Sequence, residues 1–382
     1  MIVESDRLLA ARRRRALGTV QDFDGQRLAL ARRLKRKQRA VLARDVDVTA
    51  AAICQFEKGQ SRPTTPVLAR LALALGVPTE FFRRGRPIEA VSSTAAHFRS
   101  LRSTPAISRD QALAFAEIAL AVVDLIEQYV DLPALRLPAI EIDDNPSQQQ
   151  IAAAAGETRR ALGIPVGPVA HVVRLLEAGG AVVVRLPSDV DSQVDAFSTD
   201  AGPRPLVLLS PLKDDKARSR FDGSHELGHL VMHRGVEPGS RIVENQAHSF
   251  AAEFLMPAEQ IADDLPRRVD WEQLHIAKKK WGVSLKALAY RAHRLELWSD
   301  QSFRRANQYL ATVGLPEPGS LGPPESPSLL GQAAGLLAHD GTSLAALAVA
   351  GGLPLDRIQQ VVEAGSERRP RLLLGFDPPG RP

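Results

Sequence analysis

SHELGHLVMH, residues 224–233, is the stretch from which the rest of the chain is read. His225 and His229 stand four residues apart, so on a helix both imidazoles lie on one face and reach one metal ion. Glu226, beside the first histidine, is placed to take a proton from a zinc-activated water and deliver it to a leaving amine. His233 lies on the same side but about 12 Å from His225 at ~1.5 Å per residue. The three histidines therefore do not share one ion, and His233 is expected as a supporting or capping residue. Position 235 is glycine, so no third histidine follows at the spacing of metzincins.

The third ligand has to come from another element. A helix expected from about residue 242 to 255, closed by Pro257, offers Glu244 and Glu253. Nine residues at ~100° each set these two on opposite faces. Glu244 shares its face with His248, Ala251 and Leu255, the side suited to pack on the histidine helix. Glu244 is the expected ligand, with His248, one turn further along, as the alternative.

Around this pair the pattern alternates between helix and strand. GETRRALGI and VAHVVRLLEAGG read as helices, while AVVVRLP (181–187), DAFS (195–198) and PLVLLS (205–210) read as short strands of a small sheet behind the histidine helix. A long amphipathic helix is expected over residues 108–129, with Ser108 as its N-cap. GLPEPGSLGPPESPS (314–328) has the composition of a linker. Beyond it lies an Ala/Leu-rich helical element whose would-be recognition helix lacks basic groups, since Asp356 and Arg357 nearly cancel. Packing or dimerisation is the expected role of that element.

Composition narrows the classes. The chain has 382 residues, net charge +5, 44% hydrophobic residues and only 5% aromatic ones, enough for several domains with cores built on Ala, Leu and Val. One cysteine, Cys54, excludes an internal disulfide framework and thiolate-held clusters. MIVESDRLLAARRRR has no apolar signal-peptide core, and the greasy stretch 112–126 is broken by Glu117 and Asp124. A cytoplasmic protein, nucleoid-associated when bound to DNA, is the expectation, with no membrane partner. Residues 1–87 carry a net +11 against −6 in the remainder, so one end is suited to a polyanion and the other to different work.

Within the basic end, LALARRL, VLARDV and TAAAICQFE read as successive helices, followed by PVLARLALAL ended by Gly76. A helix, a tight turn and a second helix opening on small residues fit a major groove. Thr49 caps that second helix. Ala50, Ala51 and Gln55 then reach base edges, while Ile53 and Phe56 point inward. Gln38, Arg39, Lys58 and Arg62 surround the helix and are placed to grip phosphates.

Asp24 to Phe82 resembles the Cro/CI or Xre-type helix-turn-helix, through QFEKGQSRPTTPVLARLALALGVPTEFF and the spacing of Glu57, Gly59 and Pro63. Two departures stand out: Asp47 occupies the place of the usual turn glycine, and Lys37-Gln38 that of the apolar-Thr/Ser start of the first motif helix. RFDGSHELGHLVMH (220–233) and ENQAHSFAAEFLMP (244–257) resemble the two signature blocks of the ImmA/IrrE family of zinc-dependent regulatory proteases. LLEAGGAVVVRLP, VDAFS, WGVSLKALAYRA (281–292) and HFRSLR (97–102) fit the same resemblance, which covers roughly residues 24–310. The family pattern implies His225, His229 and Glu244 as zinc ligands and Glu226 as general base, and His248 stands where many members have Asn.

The expected architecture is mainly α with a small α+β domain. A basic N-terminus (1–23) precedes an all-α helix-turn-helix head (24–87) and a helical connector (88–145). An α+β, zincin-like domain with the HExxH helix (146–312), a Pro/Gly linker (313–327) and a small helical tail (328–382) follow. The resemblance implies a DNA-binding regulator whose zinc endopeptidase domain cuts a helix-turn-helix repressor, or the chain itself, relieving repression under stress or in a mobile-element circuit. The alternative is a non-proteolytic transcription factor whose metal-bearing domain senses a small effector or supports dimerisation. Double-stranded operator DNA, a repressor protein as substrate and a second copy of the chain are the expected partners, because Xre-type heads read two half-sites as dimers.

Overall fold

The computed structural model describes residues 22–363, apart from 84, 86–87, 93–95, 99–103, 144, 191–193, 195, 211–214 and 237–238. Most of the expected basic N-terminus and the end of the tail, residues 364–382, lie outside the described residues. The head opens at Phe23, which is buried against Phe56 and Phe82 and so belongs to the head rather than to the basic tail. Four helices follow: α1 (Gly25–Leu34), α2 (Arg39–Asp45), α3 (Ala50–Glu57) and α4 (Thr65–Leu75), then a 3-10 turn at Thr79–Phe82. Asp24 caps α1 by accepting from the Gln26 amide, and Thr49 caps α3 by accepting from the Ala52 amide at 3.1 Å. Asp47, between α2 and α3, has φ +53°, the left-handed conformation that its position in place of glycine requires.

The strand β1 (Ala96–Phe98) and the long helix α5 (Ala106–Ile126) follow. α5 starts at Ala106 after an N-cap at Pro105, so Ser108 is not its cap. Ser108 is instead fully buried, with its hydroxyl accepting from the Arg36 guanidinium of the head. α5 is amphipathic only at its ends; from Gln111 to Leu120 every residue is buried. The head's α1 packs on one side of it, β4 of the sheet and the C-terminal helices on others. Glu117 survives in this setting because Arg33 of α1 meets its two oxygens at 2.9 and 2.6 Å and the Val91 amide donates to it.

The remaining elements of the body are α6 (Gln148–Ala161), α7 (Val172–Ala178), β2 (Val182–Arg185), β3 (Phe197–Thr199), β4 (Leu206–Leu209), α8 (Lys216–Met232), α9 (Arg241–Leu255), α10 (Ala258–Ile261), α11 (Trp271–Trp281), α12 (Leu285–Arg294) and α13 (Asp300–Val313). The sheet order is β1-β3-β4-β2, with β2 parallel to β4 and the other two pairings antiparallel. Strand alternation divides the molecule. Val182, Val184, Leu206 and Leu208 face the core shared with α5 and the head. Val183, Val207 and Leu209 face the second core, under α8 and α9. α8 lies against β3 and β4, and α9 packs on α8.

The stretch expected as a linker is held down by buried carboxylates. Glu317 accepts from Lys278 and the Leu285 amide, and Glu325 accepts from Arg220 of α8 and the Val173 amide of α7. Glu177 of α7 accepts from the amides of Ser328 and Leu329, and so caps α14 (Leu329–His339) from another part of the chain. Burial pushes the Glu177 carboxyl above its ordinary range, against those hydrogen bonds. α15 (Leu344–Gly351) and α16 (Leu355–Glu363) complete the fold, and all three last helices pack on α5. Arg27 of the head donates to the Gly352 carbonyl at 2.9 Å. Among the described residues no single helix is long and apolar enough to cross a membrane.

Candidate functional site

α8 carries His225, Glu226 and His229 on the side that meets α9. Gly228, within the same motif, lets the two helices approach: a Cβ there would stand 3.0 Å from the Phe250 ring and 3.3 Å from the Ala247 Cα. Ser240 caps α9, and Glu244 sits in its first turn, where the helix dipole favours a carboxylate. The consequence is a cluster. His225 Nε2 and His229 Nε2 are 3.1 Å apart, and the Glu244 oxygens lie 3.3 Å from the first and 3.6 Å from the second.

These separations suit a single tetrahedral ion. Ligand atoms at about 2.0–2.1 Å from such an ion stand roughly 3.3–3.4 Å from one another. Both Glu244 oxygens are buried and neither has a hydrogen-bond donor among the described residues, an arrangement that is costly unless a cation completes it. Two neutral-imidazole nitrogens and one carboxylate form a donor set suited to zinc. Among the described residues, this trio forms a group able to hold a metal ion.

The other ring nitrogen of His229 is fixed by a relay. The Gln246 carbonyl oxygen, on α9, accepts from His233 Nε2 at 2.8 Å, so Nδ1 of His233 is its acceptor nitrogen. His229 Nδ1 then donates to it at 3.0 Å, which leaves the His229 Nε2 lone pair directed into the cluster. His233 also ends α8. It therefore supports the site from outside, as its distance along the helix requires. His225 Nδ1 has no comparable partner among the described residues.

Glu226 is fully buried, and the Ser198 hydroxyl of β3 donates to its Oε2 at 2.7 Å. Ser198 lies opposite Val207 in register, on the sheet face toward α8. His248 is outside the trio: its ring packs against Phe221 at 4.8 Å and stands 6.4 Å from that of His225 and 6.3 Å from that of Tyr290. Glu253, the other carboxylate of α9, is engaged by both terminal nitrogens of Arg291. Sequence reading missed Ser198 and Gln246. Only Gln246 left a trace, two residues beyond Glu244 on a helix already assigned to the site.

On the head, Gln38, Arg39, Thr49, Ala50, Ala51, Gln55, Lys58 and Arg62 are all exposed around α3, whose Ile53, Phe56 and Glu57 are buried. Arg39 differs from the rest. Its Nε donates to Glu57 at 2.6 Å, Arg32 holds the same carboxylate, and the bond to Glu57 raises the Arg39 pKa. The position of Glu57 at the end of α3 is thus fixed by two arginines from α1 and α2.

Residues 28–82 match the family described as Helix-turn-helix, and residues 177–293 match the IrrE N-terminal-like domain. The second segment contains the whole cluster, from Glu177 of α7 to His293 of α12. No curated protein matches the chain. The chain joins an Xre-type helix-turn-helix domain, the fold of DNA-binding regulators, to an ImmA/IrrE-like, metallopeptidase-like domain.

Proposed function

We propose that this chain is a DNA-binding transcriptional regulator whose second domain is a zinc-dependent endopeptidase, acting on a helix-turn-helix repressor or on the chain itself. The observation that carries the reading is the convergence of His225, His229 and Glu244 beside Glu226, with both Glu244 oxygens lacking a hydrogen-bond donor. Zinc, if held by His225, His229 and Glu244, would supply a Lewis acid and the means of activating water at neutral pH. Glu226 takes the proton of the attacking water and passes it to the leaving nitrogen as the peptide C–N bond breaks. Ser198 holds the Glu226 carboxylate in place, and the His233–Gln246 relay holds the His229 ring.

On the head, Ala50, Ala51 and Gln55 face base edges with Thr49 as the cap of their helix. Gln38, Lys58 and Arg62 meet phosphates, joined by the outward face of Arg39. Two copies of the chain would read two half-sites.

A second reading has its own observation. Glu226 has no exposed surface, as suits a domain that braces or senses and does not cut. A half-open groove between the head and α5, bordered by Arg27, Arg33, Glu57, Ile88 and Glu117, is where a small effector would bind on this reading. The deciding experiment compares protein N-termini across the proteome in cells carrying the wild type or Glu226→Gln, with and without DNA-damage stress. A new N-terminus that requires Glu226 supports the peptidase and names its substrate. Identical N-termini with unchanged operator occupancy favour the sensor.

A further inference from the structure

Along α8 the two sides of the candidate centre differ. One turn beyond His229 the cluster is closed, because His233 and Gln246 bond to each other and are 1% and 7% exposed. One turn before His225 stands Phe221, four residues away and so on the same helix face. Its ring packs on that of His248 at 4.8 Å, and His248 sits one turn after Glu244 on α9. Tyr290 of α12 continues the row, edge-on to His248 with ring centres 6.3 Å apart. Phe221 and His248 are half-buried, whereas Tyr290 is 40% exposed. Among the described residues, three helices thus contribute one ring each to a row that runs from the cluster to the surface.

These rings add nothing to the trio that could hold a metal, yet they are braced. Arg291, next to Tyr290, grips Glu253 of α9 with both terminal nitrogens and so ties α12 to the helix that carries Glu244. Phe303 of α13 backs Tyr290 at 6.2 Å, and His293 stacks on Phe303 at 4.5 Å. The same Arg291 bonds neutralise Glu253, so that carboxylate sets no uncompensated charge beside the row. What the row offers a ligand is fixed aromatic surface, which suits a large apolar side chain and an aromatic one best.

Its reach is set by distance. The His248 ring lies 6.4 Å from that of His225, about two residues of extended chain at ~3.3 Å each. A polypeptide whose peptide bond lies at the trio therefore lays the side chain of a residue within about two positions of that bond against the row.

We propose that Phe221, His248 and Tyr290 form the wall that selects a large apolar side chain, aromatic by preference, on the polypeptide taken up at the candidate centre. The proposal rests on the peptidase reading for what happens next to that polypeptide. Tyr290 and Phe221 are specificity residues: they grip the side chain beside the bond and leave the metal ligands alone.

The test uses the full-length chain loaded with cobalt(II) in place of zinc, whose visible absorption bands shift when a hydroxamate binds the metal. The two probes are acetohydroxamic acid, which has only the metal-binding head, and 3-phenylpropanohydroxamic acid, which adds an aromatic side chain. Burying that ring should make the second bind at least about ten-fold tighter to the parent protein. In Tyr290→Ala and in Phe221→Ala the advantage should fall to about two-fold or less, with the acetohydroxamate affinity and one cobalt per chain unchanged. Tyr290→Phe keeps the advantage, because the ring and not the hydroxyl acts, and it guards against a fold defect in the alanine variant. Where Glu226-dependent N-termini are found in cells, a large apolar residue should recur within two positions of each cut, and Tyr290→Ala should relax that preference.

No aromatic advantage in the parent, an advantage that survives in both alanine variants, or its loss in Tyr290→Phe would each overturn the proposal. The two readings fail separately. Acetohydroxamate that leaves the cobalt bands of the parent unmoved removes the metal centre and the wall with it. An aromatic advantage that depends on Tyr290 and Phe221, without any Glu226-dependent N-terminus, leaves the wall standing and removes the peptidase.

Discussion

His233 and Gln246 join the two helices of the candidate centre: the His233 Nε2–H donates to the Gln246 side-chain carbonyl at 2.8 Å, and through His233 that bond sets the tautomer of His229. Partners of this kind commonly change metal affinity by about 10–100-fold when removed. Gln246→Leu is expected to lower zinc affinity by about that factor while leaving one zinc per chain at saturation. His229→Ala or Glu244→Ala abolishes stoichiometric zinc. Metal analysis of the purified proteins and competition with a chromophoric chelator read both effects.

Ser198→Ala leaves a buried carboxylate short of one donor. Hydrogen bonds to charged groups contribute about 1.5–3 kcal/mol, and urea denaturation should show a loss in that range. In a Glu226→Gln background the same substitution should cost less, because the acceptor is no longer an anion. Equal losses in the two backgrounds would show that the Ser198 effect does not pass through Glu226.

On the proposed reading, the exposed residues around α3 separate by what they contact. Gln55→Ala should lose about 1–3 kcal/mol of discrimination at one base position and relax preference there. Lys58→Ala and Arg62→Ala should weaken all sequences alike and each reduce the slope of log affinity against log salt by about 1. Arg39→Ala should do less to that slope and more to stability, because Glu57 already engages its Nε. Binding titrations at several salt concentrations, on operator and scrambled DNA, make the comparison.

Asp47 has φ +53° in the turn of the helix-turn-helix. Glycine adopts that conformation without steric penalty. Asp47→Gly is expected to raise the stability of the chain by about 0.5–1 kcal/mol in thermal or urea melts, with unchanged operator specificity. A destabilised variant would mean that the aspartate side chain contributes more than its backbone strain removes.

Much of the candidate centre was legible because helical periodicity is local. Spacing puts His225 and His229 on one face and favours Glu244 over Glu253, with His248 as the alternative, and the chain brings His225, His229 and Glu244 together. Contacts between distant segments were not legible. Ser108 has the chemistry of an N-cap, yet Arg36, from another element, engages its hydroxyl and the helix begins two residues earlier. β1 is three residues long with no alternation to betray it, and only its register on β3 makes it a strand. The stretch 314–328 has linker composition, but Glu317 and Glu325 find buried partners that composition does not encode.

His171 offers a pH test remote from the candidate metal ligands. Burial holds its pKa below the ordinary 6.5, outweighing the nearby Glu325 carboxylate. Its Nδ1 accepts from the Arg174 amide and so caps α7. Because the folded value lies below 6.5, the unfolded chain binds more protons in the window just beneath 6.5. Stability therefore falls as pH drops from 6.5 toward the folded value. His171→Asn retains a capping acceptor and should flatten that part of the stability profile, measured by denaturant melts between about pH 5 and 7.5.

The bond from Arg27 to the Gly352 carbonyl spans 325 positions of sequence. Together with the last three helices on α5, it makes the order of synthesis matter. The DNA-reading head emerges first from the ribosome, but α5, the surface on which it rests, stays partly bare until residues 329–363 have followed. A polypeptide stopped anywhere in the preceding Pro/Gly stretch would carry every residue of α3 and of the candidate metal centre, yet would leave a greasy helix uncovered. Chaperones and proteases would meet that species before any operator did, so a premature stop far from either site should act as a loss of the whole regulator.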